Sequence, residues 1–391
     1  MPWMELDIVE LRKQFIQEFI TQDYPSFQDL CEAYGISRKT GYKWRNRFMS
    51  GGFDNLSDHS RAPLTTPHQT SEEVCQLIID MKLEHDKWGP KKVLDRLKRV
   101  HPSLTLPADS TAGEILKRAG LVKKRRKRNY YAADEKAFES CKENNQVWGV
   151  DYKGQFKLGN GQMCYPLTIT DIHSRYLIRC QSLRSTCYKD AKTQMEQAFR
   201  EYGLPHTIRS DNGTPFSSLA AGGISRLSKW WIKLGIHPQR IKPGHPQQNG
   251  RHERMHRTLK EATIKPAAHN EKVQQERFDA FVYEYNYERS HEGLGRKCPS
   301  DIYKPSLRTY PDVLPDIVYD EGKETRKVKR GGEIKWRNHH IYISQVLSNE
   351  RICLEEIDDD IFAVFYGFYK LGEIIGKDKQ LKRATKWHHI H

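Results

Sequence analysis

The sequence predicts a multidomain protein with helical units near its start, a central α/β domain and a small all-β domain near its end. Its 391 residues exceed the roughly 100–200 that one domain needs. The hydrophobic pattern is helical up to about residue 122, mixes strands with helices from residue 146, and alternates beyond residue 315. The 14 Phe, 19 Tyr and 8 Trp are enough to build cores although 29% of the residues are charged.

These patterns divide the chain into six segments. We expect a helix-turn-helix domain over residues 1–56, a linker over 57–70, a second helix-turn-helix domain over 71–122, a basic linker over 123–139, an α/β domain over 140–305 and a β-barrel-like domain over 306–391. The eight cysteines include no Cys-x-x-Cys pair, which excludes a zinc ribbon and favours reduced thiols.

The first helical unit has the signals of a helix-turn-helix. Ser26 and Ser37 are N-cap candidates, Gly35 makes the turn between them, and the last helix ends at a Gly pair. Since the second helix of this motif enters the DNA major groove, we expect DNA contacts from its polar side chains. These are Arg38, Lys39, Thr40, Tyr42, Lys43 and Arg45. The alternative is a small helical bundle with a basic solvated face.

A second helical unit follows the linker. Ser71 is placed to cap "EEVCQLIIDMKLEH", "GPKKVLDRLKRV" forms the next helix, and we expect Ser110 to cap "TAGEILKRAGL". Three helices with a basic last one again predict a helix-turn-helix. Residues 104–107 could instead form a wing or an extended spacer.

The net charge of +15 is concentrated in two short segments. Residues 226–260 hold nine bases and one acid, and a run of six bases adds +6: Lys123, Lys124, Arg125, Arg126, Lys127 and Arg128. Concentrated positive charge favours a polyanion through counterion release, so we expect double-stranded DNA as partner. A basic run alone is also typical of a solvated linker or a nuclear-import signal.

The central region predicts three antiparallel strands followed by alternating helices and strands. "VWGVDYKGQFKL", "MCYPLTITDIHS" and "RYLIRCQSL" are the strands, followed by helices over 188–202 and 225–234 and a helix from about residue 248. Beyond residue 315, "GGEIKWRNHHIYIS", "ERICLEEID" and "IFAVFYGFYKLGEI" predict the β domain, with Trp336 and Arg337 as candidate DNA contacts. An assembly module is the alternative.

Three acids lie at positions where a carboxylate is not needed for the stability of the fold and can serve a function. Asp151 lies within a strand, Asp211 ends a strand at a Gly-containing loop, and Glu253 is the single acid of the basic window. Helical spacing puts His256, Arg257 and Lys260 on the Glu253 face. The opposite, apolar face consists of Met255, Leu259 and Ala262. Taken singly, Asp211 could be a turn residue and Glu253 a helix-start residue.

Converging carboxylates repel one another and favour a hard divalent cation. We expect Mg²⁺, with Mn²⁺ able to substitute, in two sites about 3.5–4 Å apart that also bind phosphate oxygens. Carboxylates for metal within a basic setting indicate phosphodiester cleavage or strand transfer.

The segments "VWGVDYKG", "TIRSDNGTPF" and "KPGHPQQNGRHERMHRTLK" resemble the three motifs of the DDE-class integrase-core transposases. Bacterial insertion-sequence transposases and retroviral integrases share these motifs. The resemblance implies an RNase H-like catalytic core over residues 140–305, with Asp151, Asp211 and Glu253 as catalytic metal ligands and Lys260 at the DNA end. It also points to DNA contacts from Asn249, Arg254 and Arg257. The 41 residues between Asp211 and Glu253 exceed the common spacing, so we expect an insertion near "SSLAAGGISRL".

The resemblance implies a transposase. We expect it to bind the terminal inverted repeats of an insertion sequence, cleave at the 3′ ends and transfer the strands into target DNA, as a dimer or larger homo-oligomer. Without an apolar stretch of about 20 residues or a signal sequence, we expect a bacterial cytoplasmic protein, associated with the nucleoid when bound to DNA. The alternatives are an inactive or domesticated DNA-binding regulator and a nuclease without strand transfer.

Overall fold

The computed structural model describes residues 7–58, 69–122, 141–218, 220–241, 250–376 and 380–383. The basic run 123–128 and Asn249 lie outside these ranges. By its internal contacts the chain forms two compact units, Met1–Gln69 and Thr70–His391. Within the described ranges, no helix has both the length and the apolar character needed to cross a bilayer.

The first unit consists of three helices: α1 (Ile8–Thr21), α2 (Phe27–Ala33) and α3 (Arg38–Gly51). Both predicted caps are confirmed, because the hydroxyl of Ser26 accepts from the backbone of Asp29 and that of Ser37 from Thr40. The core contains Phe15, Ile16, Leu30, Cys31, Trp44 and Leu56.

The second unit begins with three more helices: α4 (Glu72–Glu84), α5 (Pro90–Val100) and α6 (Asp109–Arg118). Ser71 caps α4 as predicted, but α6 begins one residue before Ser110 and its N-cap is Ala108. Ser110 therefore lies in the first turn, and its prediction as a cap is wrong. Ile78, Trp88, Val93, Leu97 and Leu116 are among the buried residues of this helical part.

A five-stranded mixed sheet forms the centre of the second unit. Its strands are β1 (Val147–Tyr152), β4 (Leu167–Asp171), β5 (Leu177–Gln181), β6 (Thr207–Ser210) and β7 (His237–Arg240), in the order β5-β4-β1-β6-β7. The short β2 (Phe156–Lys157) and β3 (Met163–Cys164) form a hairpin between β1 and β4. β4 is antiparallel to β1 and β5, which confirms the predicted meander, and β6 and β7 continue parallel to β1.

Helices cover both faces of this sheet. On one face, α7 (Tyr188–Tyr202) and α8 (Arg226–Lys233) share a buried cluster with Trp148 and Ile178. On the other face, α9 (Gly250–Leu259) and α10 (Glu271–Tyr283) pack on Leu177 and Cys180, which belong to β5 like Ile178. Because successive strand residues point to opposite faces, one strand contributes to both clusters. Both α9 and α10 continue into π-helical turns, Lys260–Ile264 and Glu284–Glu288.

The C-terminal part is all-β, as predicted. β8 (Glu324–Lys327), β11 (Arg351–Asp358), β12 (Ile361–Tyr366), β13 (Tyr369–Ile375) and β14 (Gln380–Arg383) form an antiparallel sheet, and β9 (Glu333–Trp336) pairs with β10 (His339–Tyr342). β8 precedes the segments for which the sequence predicted strands, so it was not predicted. Trp336 is 3% exposed and its indole N–H donates to Glu324, so it is a core residue and its prediction as a DNA contact is wrong.

The residues where we expect the insertion connect the core to the β domain. Ala221 and Ile224 are buried in the core of the β domain. The hydroxyl of Tyr369 donates to the carbonyl of Gly222 over 3.0 Å. Gly222 has a φ of +60°, and a Cβ added there would lie 3.1 Å from the Leu371 backbone. This segment therefore belongs structurally to the β domain.

Candidate active site

Asp151 and Asp211 lie on neighbouring parallel strands. The β1–β6 register pairs Val147 with Thr207 and continues to Val150 with Ser210, so the next residues in line are Asp151 and Asp211. Neighbouring strands run about 5 Å apart, and residues in register point to the same face of a sheet. The register therefore places the two acids side by side at one edge of the sheet. Asp151 lies on the α9 face, since its side chain approaches His256.

Both acids are partly withdrawn from water. Burial raises the pKa of the Asp211 carboxyl, while the backbone N–H of Gly213, which donates to its Oδ1 over 3.1 Å, acts in the opposite direction. The Asp151 side chain is 16% exposed. Carboxylates that approach one another are stabilised by a hard divalent cation. The oxygen donors at this edge therefore fit a divalent metal ion.

Glu253 lies exposed on α9, beside the buried face of that helix. The buried residues are His252, Met255, His256 and Leu259. The sequence analysis placed His256 with Glu253 on an exposed face and Ala262 in the core, and both placements are wrong. The buried face is centred between Leu259 and His256, so Thr263, four residues after Leu259, is buried and Ala262 is exposed.

The two buried histidines contact one threonine of β4. Nε2 of His252 and Nε2 of His256 each lie 2.7 Å from the Thr168 hydroxyl, which donates to the Asp151 carbonyl over 3.0 Å. A hydroxyl has one hydrogen, so both Nε2 atoms donate to it and both Nδ1 atoms keep a lone pair. Burial lowers the pKa of His252 to about 3 and lowers that of His256 further, which keeps both rings neutral at pH 7.

The lone pair on His256 Nδ1 faces Asp151. This nitrogen lies 3.9 Å from Asp151 Oδ2. The corresponding nitrogen of His252 is 3.3 Å from the Thr170 hydroxyl. Asp151, His252 and His256 form a group whose ligand atoms all lie within 4.8 Å, and Asp211 and Glu253 are not part of it.

Gly149 leaves the space that the His252 ring occupies. A Cβ at residue 149 would lie 3.0 Å from His252 Nδ1 and 3.3 Å from the Thr170 hydroxyl. Since Gly149 is two residues before Asp151 on β1, it shares the face of that acid. A side chain here would require the His252 ring to shift by a few tenths of an ångström. Gly149 and His252 were not identified from the sequence, although the i, i+4 spacing of His252 and His256 was visible there.

Basic side chains surround the acidic edge. Arg254, Arg257 and Lys260 on α9 and its continuation are exposed. Lys153 lies near both Lys260 and Asp151, and its pKa is lowered first by burial and then by the Lys260 charge. The expected contacts of Arg254, Arg257 and Lys260 to a phosphate backbone stay a prediction.

The expected DNA contacts in the first unit lie on α3. Arg38, Lys39, Tyr42 and Lys43 are exposed. Thr40 is half-buried, and its backbone N–H donates to Ser37. Arg45 is also half-buried, with its guanidinium 4.8 Å from the centre of the Tyr42 ring.

Four family models match the chain. Residues 142–246 match an integrase core domain and residues 234–299 match a second integrase core domain model. Residues 11–63 match a helix-turn-helix domain, and residues 40–116 match a homeodomain-like domain. The first two matches cover the sheet, the two aspartates and α9. The other two cover the two groups of helices.

Viral and bacterial proteins are similar to parts of the chain. The Gag-Pol polyprotein of baboon endogenous virus (strain M7) is 32% identical over 118 residues, which are 30% of this chain and 6% of the polyprotein. The uncharacterized 31.7 kDa protein of insertion element IS407 from Burkholderia multivorans is 23% identical over 60% of this chain and 82% of its own length. The uncharacterized 39.2 kDa protein of insertion element IS476 from Xanthomonas euvesicatoria is 24% identical over 48% of this chain and 51% of its own length.

Among solved structures, the HTLV-2 integrase catalytic core domain in complex with magnesium (trimeric form) aligns with 41% of this chain and 97% of its own, at 15% identity and a TM-score of 0.33. The simian T-cell lymphotropic virus intasome in complex with PP2A regulatory subunit B56 gamma aligns with 79% of this chain and 99% of its own, at 15% identity and a TM-score of 0.37.

Proposed function

We propose that this chain, which carries an integrase core domain and helix-turn-helix domains, is a DNA transposase. It binds the terminal inverted repeats of an insertion element, cleaves at the 3′ ends and joins those ends to target DNA. The observation that carries the proposal is the register of Asp151 and Asp211 at the ends of neighbouring strands. The exposed basic surface of α9 beside them supports DNA as the substrate.

Asp151, Asp211 and Glu253 are the proposed catalytic residues and metal ligands. When bound there, Mg²⁺ or Mn²⁺, in two sites, would stabilise charge on the reacting phosphodiester and on the attacking and leaving oxygens. The His256 Nδ1 lone pair lies beside Asp151, and the Thr168 hydroxyl holds the ring in that orientation. The same hydroxyl donates to the backbone carbonyl of Asp151 and so holds the strand position of this acid beside the ring.

The proposed reaction has two displacements at phosphorus. Water attacks the phosphodiester at the element end, the P–O3′ bond breaks, and a 3′-hydroxyl is released. That hydroxyl then attacks a phosphodiester of the target DNA, forming a new P–O3′ bond while the P–O3′ bond of the target breaks. Joining conserves the number of phosphodiester bonds, so it needs no external energy source.

Basic residues hold the DNA in this proposal. Lys260, Arg254 and Arg257 contact the backbone near the cleaved bond, and α3 reads the element end in the major groove. Asn249 and the basic run 123–128 are further proposed contacts. Cutting two ends together requires at least two protomers, so we expect a homo-oligomer on DNA in the bacterial cytoplasm.

Asparagine at Asp151 and glutamine at Glu253 test the catalytic assignment. Asp151→Asn and Glu253→Gln should each abolish cleavage and joining of labelled ends in Mg²⁺ and in Mn²⁺, while binding of the ends stays close to wild type. Glu261→Gln is the matched control, because Glu261 is an exposed acid on the continuation of the same helix. Full activity in either acid variant would refute the assignment.

The wild-type assay also separates the alternatives. Binding without cleavage or joining in either metal would indicate a DNA-binding regulator. Cleavage without joining, when target DNA is supplied, would indicate a nuclease that lacks strand transfer.

A further inference from the structure

The nine bases of residues 226–260 separate into different surfaces. Arg254, Arg257 and Lys260 lie on the α9 side of the molecule, next to Glu253. Three others belong to α8, on the opposite face of the sheet: Arg226, Lys229 and Lys233. Their i, i+3 and i+7 spacing places them in one stripe along α8. The active-site proposal does not use this stripe.

The α8 stripe forms one wall of a cleft of about 570 Å³. Tyr188 and Lys192, one turn apart on α7, form a second wall. The third wall is the segment Gln345 to Glu350 of the β domain, which the contacts of residues 221–224 hold against the core. The cleft therefore exists because the β domain packs beside α8.

The cleft carries a net positive charge. It is lined by four bases and one acid, Glu350. Glu350 pairs with Lys229 over 3.3 Å and with Lys233 over 3.0 Å. Among the described residues, no carboxylate lies within ion-pair distance of Lys192 or Arg226. Lys192 instead lies 5.4 Å from the centre of the Trp230 ring, which orients its ammonium group without neutralising it.

A second cleft shows that this charge is not a general property of the surface. It measures about 730 Å³ and is lined by residues around the start of α10. It contains two bases, Arg184 and Lys272, and three acids: Glu271, Glu276 and Asp279. This second cleft therefore has a net negative charge, although the whole chain carries +15.

The topology connects the basic cleft to the acidic edge. β1 and β6 are parallel, and β5 is parallel to both because it is antiparallel to β4. α7 follows β5 and α8 follows β6, so both helices begin at the sheet edge where Asp151 and Asp211 lie. Tyr188 and Arg226, at the starts of these helices, form the end of the cleft nearest that edge.

We propose that this cleft binds the phosphodiester backbone of double-stranded DNA where the duplex leaves the active-site edge. Lys192 and Arg226 supply the free cationic groups, and the Lys229–Lys233–Glu350 cluster keeps α8 and the β domain in place around the backbone. The contact is to phosphate, so it is independent of base sequence. The proposal rests on the proposed function only in taking DNA as the partner.

The test is a charge reversal measured without catalysis. The full-length double variant Lys192→Glu/Arg226→Glu is titrated, in EDTA, with a fluorescent element-end duplex and with an unrelated duplex at several salt concentrations. Loss of two phosphate contacts should lower the magnitude of the slope of log K against log salt by about 1.8 for both duplexes. Affinity at low salt should fall at least about 10-fold for both.

Lys272→Glu, in the acidic cleft, is the matched control and should leave the slope unchanged. Lys192→Gln/Arg226→Gln should give a smaller loss in the same direction, and thermal unfolding of each variant shows whether it folds. An unchanged slope on both duplexes would overturn the proposal. Unchanged DNA binding together with lost binding of polyglutamate would instead assign the cleft to an acidic protein segment. Binding is measured in EDTA, without metal and without cleavage. The binding result therefore tests the cleft even if the wild-type protein fails to cleave DNA.

Discussion

The two helical units contain the same kind of motif but use their basic residues differently. In the first unit, α3 carries Arg38, Lys39 and Lys43 on its surface, and among the described residues no carboxylate lies within ion-pair distance of them. The helix contains no acid, so the positive potential of its basic side chains can attract a polyanion. This arrangement is typical of a helix that contacts DNA.

In the second group of helices, α4–α6, basic residues of α5 pair with acids of the α/β core. Arg96 contacts Glu288 over 2.5 Å, and Arg99 contacts Asp301. From the core, Arg296 pairs with both Asp95 and Asp109. The comparison shows that a basic helix in a helix-turn-helix need not face DNA. Whether its charges are available depends on acids about 190 residues away in the sequence.

The largest effect in this comparison should come from α3. Lys39→Glu/Lys43→Glu should weaken DNA binding about 100-fold at low salt, since two phosphate contacts become repulsive. Fluorescence anisotropy with an element-end duplex measures the affinity. Lys13→Glu, on α1 of the same unit, is the control and should change affinity little. Equal losses in both variants would mean that α3 has no special role.

A smaller effect is expected from weakening the contact between the helices α4–α6 and the α/β core. Arg296→Ala removes hydrogen bonds to two acids and leaves Asp95, whose side chain is 15% exposed, with Ser290 as partner. Because Arg296 is itself partly exposed, we expect a loss of about 1–2 kcal/mol, seen as faster hydrogen exchange in α4–α6. Arg184→Ala, which breaks an exposed pair with Glu271, should cost less than about 1 kcal/mol. Unchanged exchange in the Arg296 variant would contradict the proposed role of this arginine in docking.

The smallest effect concerns pH. Burial lowers the pKa of His291 to about 3, and the charges of Arg289, Arg175 and Lys92 act in the same direction. Between pH 6.5 and 3 the unfolded chain binds the proton that the folded chain excludes, so stability falls as the pH falls. From pH 7 to 5.5 this histidine should cost about 1 kcal/mol, measured by urea unfolding. In His291→Gln, the loss of unfolding free energy between pH 7 and 5.5 should be smaller by that amount. An equal loss in the variant and the wild type would contradict the role given to His291.

Local features of the fold were predictable from sequence. The caps Ser26, Ser37 and Ser71 and the full extent of Tyr188–Tyr202 follow from side-chain chemistry and spacing within a few residues. The antiparallel meander was predictable because strands that follow one another in the sequence usually pair. These signals depend on neighbours along the chain, which a sequence displays directly.

Contacts between distant segments were not predictable. The burial of His256 depends on Thr168, a strand residue 88 positions earlier. The pairing of α5 with the core depends on the π-helical turn Glu284–Glu288, which helical periodicity does not indicate. The three acids were identifiable through motifs, but the register that brings Asp151 beside Asp211 is a property of the assembled sheet.

The segment around Gly222 makes the α/β core and the β domain a single unit for protein engineering. It lies in the sequence between the second and third acids, yet its apolar side chains complete the core of the β domain. A chimaera that exchanges only the residues after 305 would leave Ala221 and Ile224 facing a foreign surface. A working graft would have to carry residues 220–225 together with the C-terminal strands, so the two parts are expected to diversify together.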